Sequence, residues 1–285
     1  MAEPLELRLA SGLVLRGLAW GPAEVTPIVC LHGWLDNAMS FAALAAELPS
    51  HRLIALDWPG HGLSDHRPAG AWYHFIDYVD DLGMALDALG LARATLLGHS
   101  LGGAVASVFA AARPECVERL LVIEGMGPLG SEAERAVEAL RKGLDERRRH
   151  RSRGNGTVYP DLAAVVAARA RVGGMSLEAA KMLVSRGLEQ VEGGFRWRSD
   201  PRLTVASPNR FGEARIRAWL AAIACPTLLI LAEPPMPYID IEMMTERLRI
   251  VPGMQVLRLP GHHHLHMDDP APVAAAIRAF LEGAA

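Results

Sequence analysis

The sequence predicts an α/β domain, a mostly parallel sheet covered by helices on both faces, with a helical cap inserted into it. Three observations carry this expectation. Short apolar runs alternate with segments of helical period. The alternation stops near Gly125 and returns near Thr227. Between an apolar run and a helix-like stretch lies Gly98-His99-Ser100-Leu101-Gly102.

The elements follow in order. Leu5 to Leu9 and Leu13 to Trp20 alternate around Ser11-Gly12, which reads as an antiparallel hairpin. Pro27 to Leu31 is apolar throughout, as a strand buried on both faces must be, and Arg52 to Leu56 reads as another buried strand. Ser40 to Leu48 has helical spacing, and so does Tyr73 to Leu89. The strand 94–97, the helix 101–113 and the strand Leu120 to Ile123 come next. From 127 to 215 no buried strand is expected. Glu132 to Arg149, Leu162 to Ala170 and Ser176 to Leu188 read as helices, punctuated by Gly154-Asn155-Gly156 and Gly193-Gly194. The strand Thr227 to Leu231, the helix Ile239 to Leu248, the strand Gln255 to Leu259 and the helix Pro272 to Leu281 close the chain. The expected division is therefore a core of 1–126 and 216–285 and a cap of 127–215.

Composition narrows the class. With 285 residues and 51% hydrophobic content, the chain can bury a large core. A net charge of −3 gives no general attraction to nucleic acid or anionic membrane. The run from Arg141 to Arg153 reads as a solvated cap helix. Cys30, Cys116 and Cys225 are odd in number and widely spaced, as in a reducing compartment. No basic-then-apolar leader and no apolar stretch of about 18 residues is visible, so a cytoplasmic location is expected.

The chemistry centres on Ser100. A serine between two glycines at a strand-to-helix turn forms a nucleophile elbow, which lifts the hydroxyl off the backbone. A hydroxyl is a weak nucleophile at neutral pH and needs a base, and the base needs an acid to hold its tautomer. Residues 261–270, Gly-His-His-His-Leu-His-Met-Asp-Asp-Pro, offer four histidines. A zinc cluster is the competing reading of that tract, but no acid or cysteine spacing elsewhere supports it, and neither metal nor cofactor is expected. Glu124 closes the apolar strand Leu120-Leu121-Val122-Ile123, where a carboxylate is costly to bury without a partner. Met126, Met175, Met182, Phe195 and Trp197 are possible pocket residues, though Met and aromatics at helical spacing more often belong to a core.

Taken together, these blocks resemble the α/β-hydrolase superfamily over the whole chain. Leu31-His32-Gly33-Trp34-Leu35-Asp36-Asn37, the turn Asp57 to Ser64, Gly98 to Gly103 and Gly261 to Met267 are similar to the serine hydrolase-like protein family. The resemblance implies the α/β-hydrolase fold and the chain order nucleophile, acid, histidine. It implies His263 as base, seven residues before the helix-opening Pro270, with His266 in a second recurrent position. His262 and His264 are the runners-up. The acid usually follows the strand at 227–231, but there the chain reads Glu233-Pro234-Pro235, and Pro235 takes the expected place. Some subfamilies carry the acid on the preceding strand, 24 residues after the nucleophile, where Glu124 stands. Glu233 and Asp240 remain alternatives.

The oxyanion hole is expected from the backbone N–H groups of Leu101 and Trp34. His32 reads as a structural hydrogen-bonder, and Asp57 as part of a turn that shapes the site wall. Ser100 excludes the aspartate-nucleophile dehalogenases and epoxide hydrolases of the superfamily. The expected function is cleavage of a small-molecule ester through an acyl-enzyme. The alternatives are a C–C bond hydrolase on the same residues, or a ligand-binding relative with negligible turnover.

Overall fold

A computed structural model describes residues 2–151, 157–235 and 240–283. In chain order the elements are β1 (Glu3–Arg8), β2 (Val14–Trp20), β3 (Ile28–Leu31), α1 (Ala42–Glu47), β4 (Leu53–Leu56), α2 (Phe75–Ala88), β5 (Ala94–His99), α3 (Leu101–Ala112) and β6 (Val117–Ile123). Then come α4 (Ala136–Arg151), α5 (Leu162–Gly173), α6 (Leu177–Gly187), β7 (Leu188–Val191), β8 (Gly194–Trp197) and α7 (Glu213–Ala221). The chain finishes with β9 (Thr227–Glu233), α8 (Ile241–Ile250), β10 (Gln255–Pro260), α9 (Leu265–Asp268) and α10 (Pro270–Leu281).

Eight strands form one sheet in the order β1-β2-β4-β3-β5-β6-β9-β10. β1 pairs antiparallel with β2, and β2 with β4; every other pairing is parallel. The apolar runs explain the centre. β3, β4 and β5 are buried at every position, because helices cover both faces. On one face, Leu82 and Leu86 of α2 and Val105 and Phe109 of α3 pack on Val29, Leu96 and Val122. On the other, Leu44 of α1 and Ile277 of α10 pack on Cys30, Leu97 and Leu121. The three cysteines are free, with Cys30 and Cys225 buried.

The elements from α4 to β8 stand outside this sheet. α5 and α6 share a small core of Val165, Ala180, Leu183 and Val184. β7 and β8 form a separate antiparallel hairpin, with Leu188 opposite Trp197. The hairpin adds two strands, neither of them buried, to the helices expected between 127 and 215. The hairpin strands are four residues each, half-exposed, and carry Glu189 and Arg196 as a cross-strand ion pair. They hold no apolar run, so only Gly193-Gly194 marked them. α7 was also not foreseen. It runs through the expected boundary at 215 and buries Ile216 and Leu220 in the main core. The helix expected from Ile239 is seen from Ile241; Ile239 lies outside the described residues.

Candidate active site

The parallel strands end at one edge of the sheet, and the candidate residues gather there. Ser100 follows β5 directly and caps α3. Its φ is 51° and ψ −113°, a conformation that a residue with a side chain rarely adopts. The flanking glycines make the turn possible. A Cβ on Gly98 would come within 2.5 Å of the Gly102 carbonyl, and one on Gly102 would strike the Leu31 carbonyl oxygen. Gly103 and Gly125 meet the same demand, the first against Val122 and the second against the Ser100 backbone. The Ser100 N–H donates to Ile123 O at 2.9 Å, which fastens the elbow to the neighbouring strand.

Glu124 directly follows β6, with a positive φ of 55°. Its N–H donates to Ile230 O, and its Oε1 accepts the Ala232 N–H at 2.5 Å. The other oxygen, Oε2, lies 3.3 Å from His263 Nδ1. Burial holds His263 below the ordinary histidine range, and the bond to Glu124 pulls it back up. Glu233 is exposed, and its carbonyl accepts the Gly261 N–H. Asp240 caps α8 through the Met243 N–H. Of the three carboxylates considered, Glu124 is the one brought to His263.

The histidine tract divides by environment. His262 is exposed. His264 and His266 are buried; His264 Nδ1 meets Gly173 O at 3.1 Å, and His266 Nε2 meets Ser40 Oγ at 2.9 Å. His263, partly buried, lies tilted by 50° against His99, with ring centroids 4.7 Å apart.

The remaining wall is built by loops. His32 is fully buried; its Nδ1 donates to Gly33 O at 2.7 Å and its Nε2 accepts the Trp58 N–H at 3.0 Å. Leu35, beside Trp34, has φ 60°. Trp34 itself is half exposed, with its indole N–H on Leu203 O. Leu101 is the first residue of α3, so its N–H has no carbonyl one turn behind it in the helix. Asp57 is fully buried and accepts from the Ala38 and Leu63 N–H groups and from Arg186 of α6. That contact ties cap to core and was not legible in sequence.

A cavity of about 1660 Å³ opens beside Leu35, between the loop 62–70 and the cap. Arg169, Arg196, Arg198 and Arg202 line it, with Glu189 and Asp200. Ser100, Glu124 and His263 are not among its lining residues. Of the five possible pocket residues, Trp197 lines it. Met126 is instead buried in the core, and Met175 and Met182 belong to the α5–α6 cluster.

Residues 26–170 match the family described as alpha/beta hydrolase fold. The chain belongs to that family. It is 32% identical over 282 residues to a serine hydrolase-like protein of Danio rerio, covering 94% of this chain and 85% of that one. To serine hydrolase-like protein 2 of Homo sapiens it is 29% identical, covering 93% and 89%. A crystal structure of a hypothetical protein from Pseudomonas aeruginosa PAO1 superposes with a TM-score of 0.89 at 40% identity, over 99% of both chains. The thioesterase domain from the curacin biosynthetic pathway superposes at 0.84 with 25% identity, over 98% and 99%. No helix among the described residues is long and apolar enough to cross a membrane.

Proposed function

We propose that this hydrolase-family chain cleaves a small-molecule ester or related acyl bond through an acyl-enzyme. Ser100 is the nucleophile, His263 the base and Glu124 the acid that orients the base. One observation carries the reading: the strained Ser100 elbow and the 3.3 Å His263–Glu124 contact occupy the same end of the sheet.

The proton path follows from that contact. A carboxylate accepts only, so His263 Nδ1 carries the proton toward Glu124, and Nε2 is left with its lone pair. Nε2 takes the Ser100 proton as Oγ attacks the acyl carbon. The tetrahedral oxyanion is met by the Leu101 and Trp34 N–H groups, where fixed donors stabilise developing charge. His263 then returns the proton to the leaving oxygen. Water repeats the sequence on the acyl-enzyme, with Nε2 as base, and frees Ser100. Glu124 keeps the ring oriented and stabilises the imidazolium without becoming protonated.

The segment from 127 to the start of α7 acts as the cap that selects substrate. The arginines of its cavity beside Leu35 are paired with Asp36, Glu189 and Asp200, so that wall is polar and charge-balanced. A relative from Mesorhizobium japonicum, 26% identical over 88% of this chain, is named 2-(acetamidomethylene)succinate hydrolase, a hydrolase of a small molecule.

A burst of p-nitrophenol from p-nitrophenyl acetate tests the reading. The burst should match the enzyme concentration and vanish in Ser100→Ala. A variant keeping more than about a thousandth of wild-type kcat rules Ser100 out, because the oxyanion hole alone leaves less.

A further inference from the structure

Behind the oxyanion loop, three buried side chains from separate segments turn toward one another. Asp36 follows β3, His99 ends β5, and His264 follows His263. Asp36 Oδ2 lies 3.4 Å from His99 Nδ1 and 3.4 Å from His264 Nε2. One donor atom from each of the three falls within 4.8 Å of the others.

The far nitrogen of each ring is committed. His264 Nδ1 meets Gly173 O at 3.1 Å, and His99 Nε2 meets His263 O at 2.9 Å. Carbonyls only accept, so these far nitrogens carry the protons. In neutral rings the near nitrogens then present lone pairs to a carboxylate oxygen. Among the described residues, Asp36 Oδ2 and His99 Nδ1 have no hydrogen-bond partner. Arg169 holds the other oxygen of Asp36 and leaves Oδ2 to the two rings.

Three buried acceptors facing one point need a positive centre between them. A proton serves poorly. One extra proton satisfies one contact only, and two imidazolium rings with centroids 5.0 Å apart would repel in a dry site. A tetrahedral ion with bonds of about 2.0–2.1 Å sets its ligands roughly 3.3 Å apart, which matches both separations. Imidazoles whose outer N–H is held by a carbonyl are the usual metal ligands. Gly33 adds an independent observation. A Cβ there would approach His99 Nδ1 to 2.9 Å and Asp36 Oδ2 to 3.0 Å, so the glycine keeps that ground open.

We propose that Asp36, His99 and His264 bind a divalent transition-metal ion of the zinc class, with water as fourth ligand. The ion ties together the oxyanion loop, the residue before Ser100 and the residue after His263. Its role is structural, and the proposal stands apart from the reaction proposed above.

Tag-free protein stripped with chelator and titrated with zinc against a chromophoric competitor tests it. One equivalent should bind with a Kd on the order of micromolar or tighter, and bound cobalt should give the visible absorption of a tetrahedral site. His264→Gln should weaken binding by about a hundredfold, while His262→Gln, on an exposed position of the same tract, should retain it. Failure of the wild type to bind zinc saturably overturns the proposal, and so does equal binding by His264→Gln. Should that variant not fold, nitrogen NMR of the wild-type rings decides. Zinc-dependent shifts at His99 Nδ1 and His264 Nε2 support the site; imidazolium signals that zinc leaves unchanged reject it.

Discussion

His263 Nδ1 and Glu124 Oε2 stand 3.3 Å apart across 139 residues of sequence. The contact joins the end of β6 to the loop after β10, and β9 lies between those strands in the sheet. Glu124 reaches across because the Ala232 N–H of β9 holds its second oxygen. Glu124 is thus anchored by the neighbouring strand β9.

Glu124→Gln should lower kcat by about two to four orders of magnitude, because the amide keeps shape and loses the charge that stabilises the imidazolium. Glu233→Gln, on an exposed side chain, should cost less than about tenfold. Steady-state rates on one ester, measured side by side, check this. A larger loss in the Glu233 variant would reassign the acid.

Activity should fall on the acid side with a midpoint below the ordinary histidine value of 6.5, since burial lowers His263. The base must be neutral to accept the Ser100 proton. Glu124 opposes that lowering, so Glu124→Gln should move the midpoint of kcat/KM to still lower pH. A pH–rate profile that moves upward in the variant would contradict the arrangement.

Among the four histidines of the tract, His263→Gln alone should remove turnover. His262→Gln should act near wild-type rate. His264→Gln and His266→Gln should lower Tm while keeping a measurable rate, because both rings are buried among hydrogen-bond partners. Rates and melting curves of the four variants test the division; comparable rates in the His263 and His266 variants would refute it.

Asp57→Ala should destabilise the fold by about 3–5 kcal/mol, the usual cost of leaving a buried charge without its partner. Arg186 of α6 would lose its carboxylate, and the Ala38 and Leu63 N–H groups their acceptor. Urea unfolding measures it, and a change within about 0.5 kcal/mol would contradict the role.

Acid should weaken the fold through its buried histidines. Burial lowers His32 to about 4 and His61 to about 3. The unfolded chain then binds more protons than the folded one below pH 6.5. Stability is full above that value and falls as pH drops toward about 4, by up to about 1.4 kcal/mol per pH unit for each histidine. His32→Gln should flatten this slope, since an amide does not titrate. Unfolding free energies at pH 7 and 5 that are equal in the wild type would overturn the prediction.

By itself the sequence determined the order of the parallel strands with the helices that cover them, and the elbow at Ser100. These are local or periodic properties: apolar runs buried on both faces, helical spacing, and glycines where a side chain would collide. It also held Glu124 as a carboxylate at the end of an apolar strand, a cost that asks for a partner. Only the tertiary structure decided which partner, because β9 and the loop after β10 arrive from more than a hundred residues away. The same holds for the Asp57–Arg186 tie, the β7–β8 hairpin and the meeting of Asp36, His99 and His264. None of these leaves a period or a run in the chain. Each depends on which loops the parallel sheet delivers to one edge, and on burial strong enough to make an unpaired charge or lone pair costly.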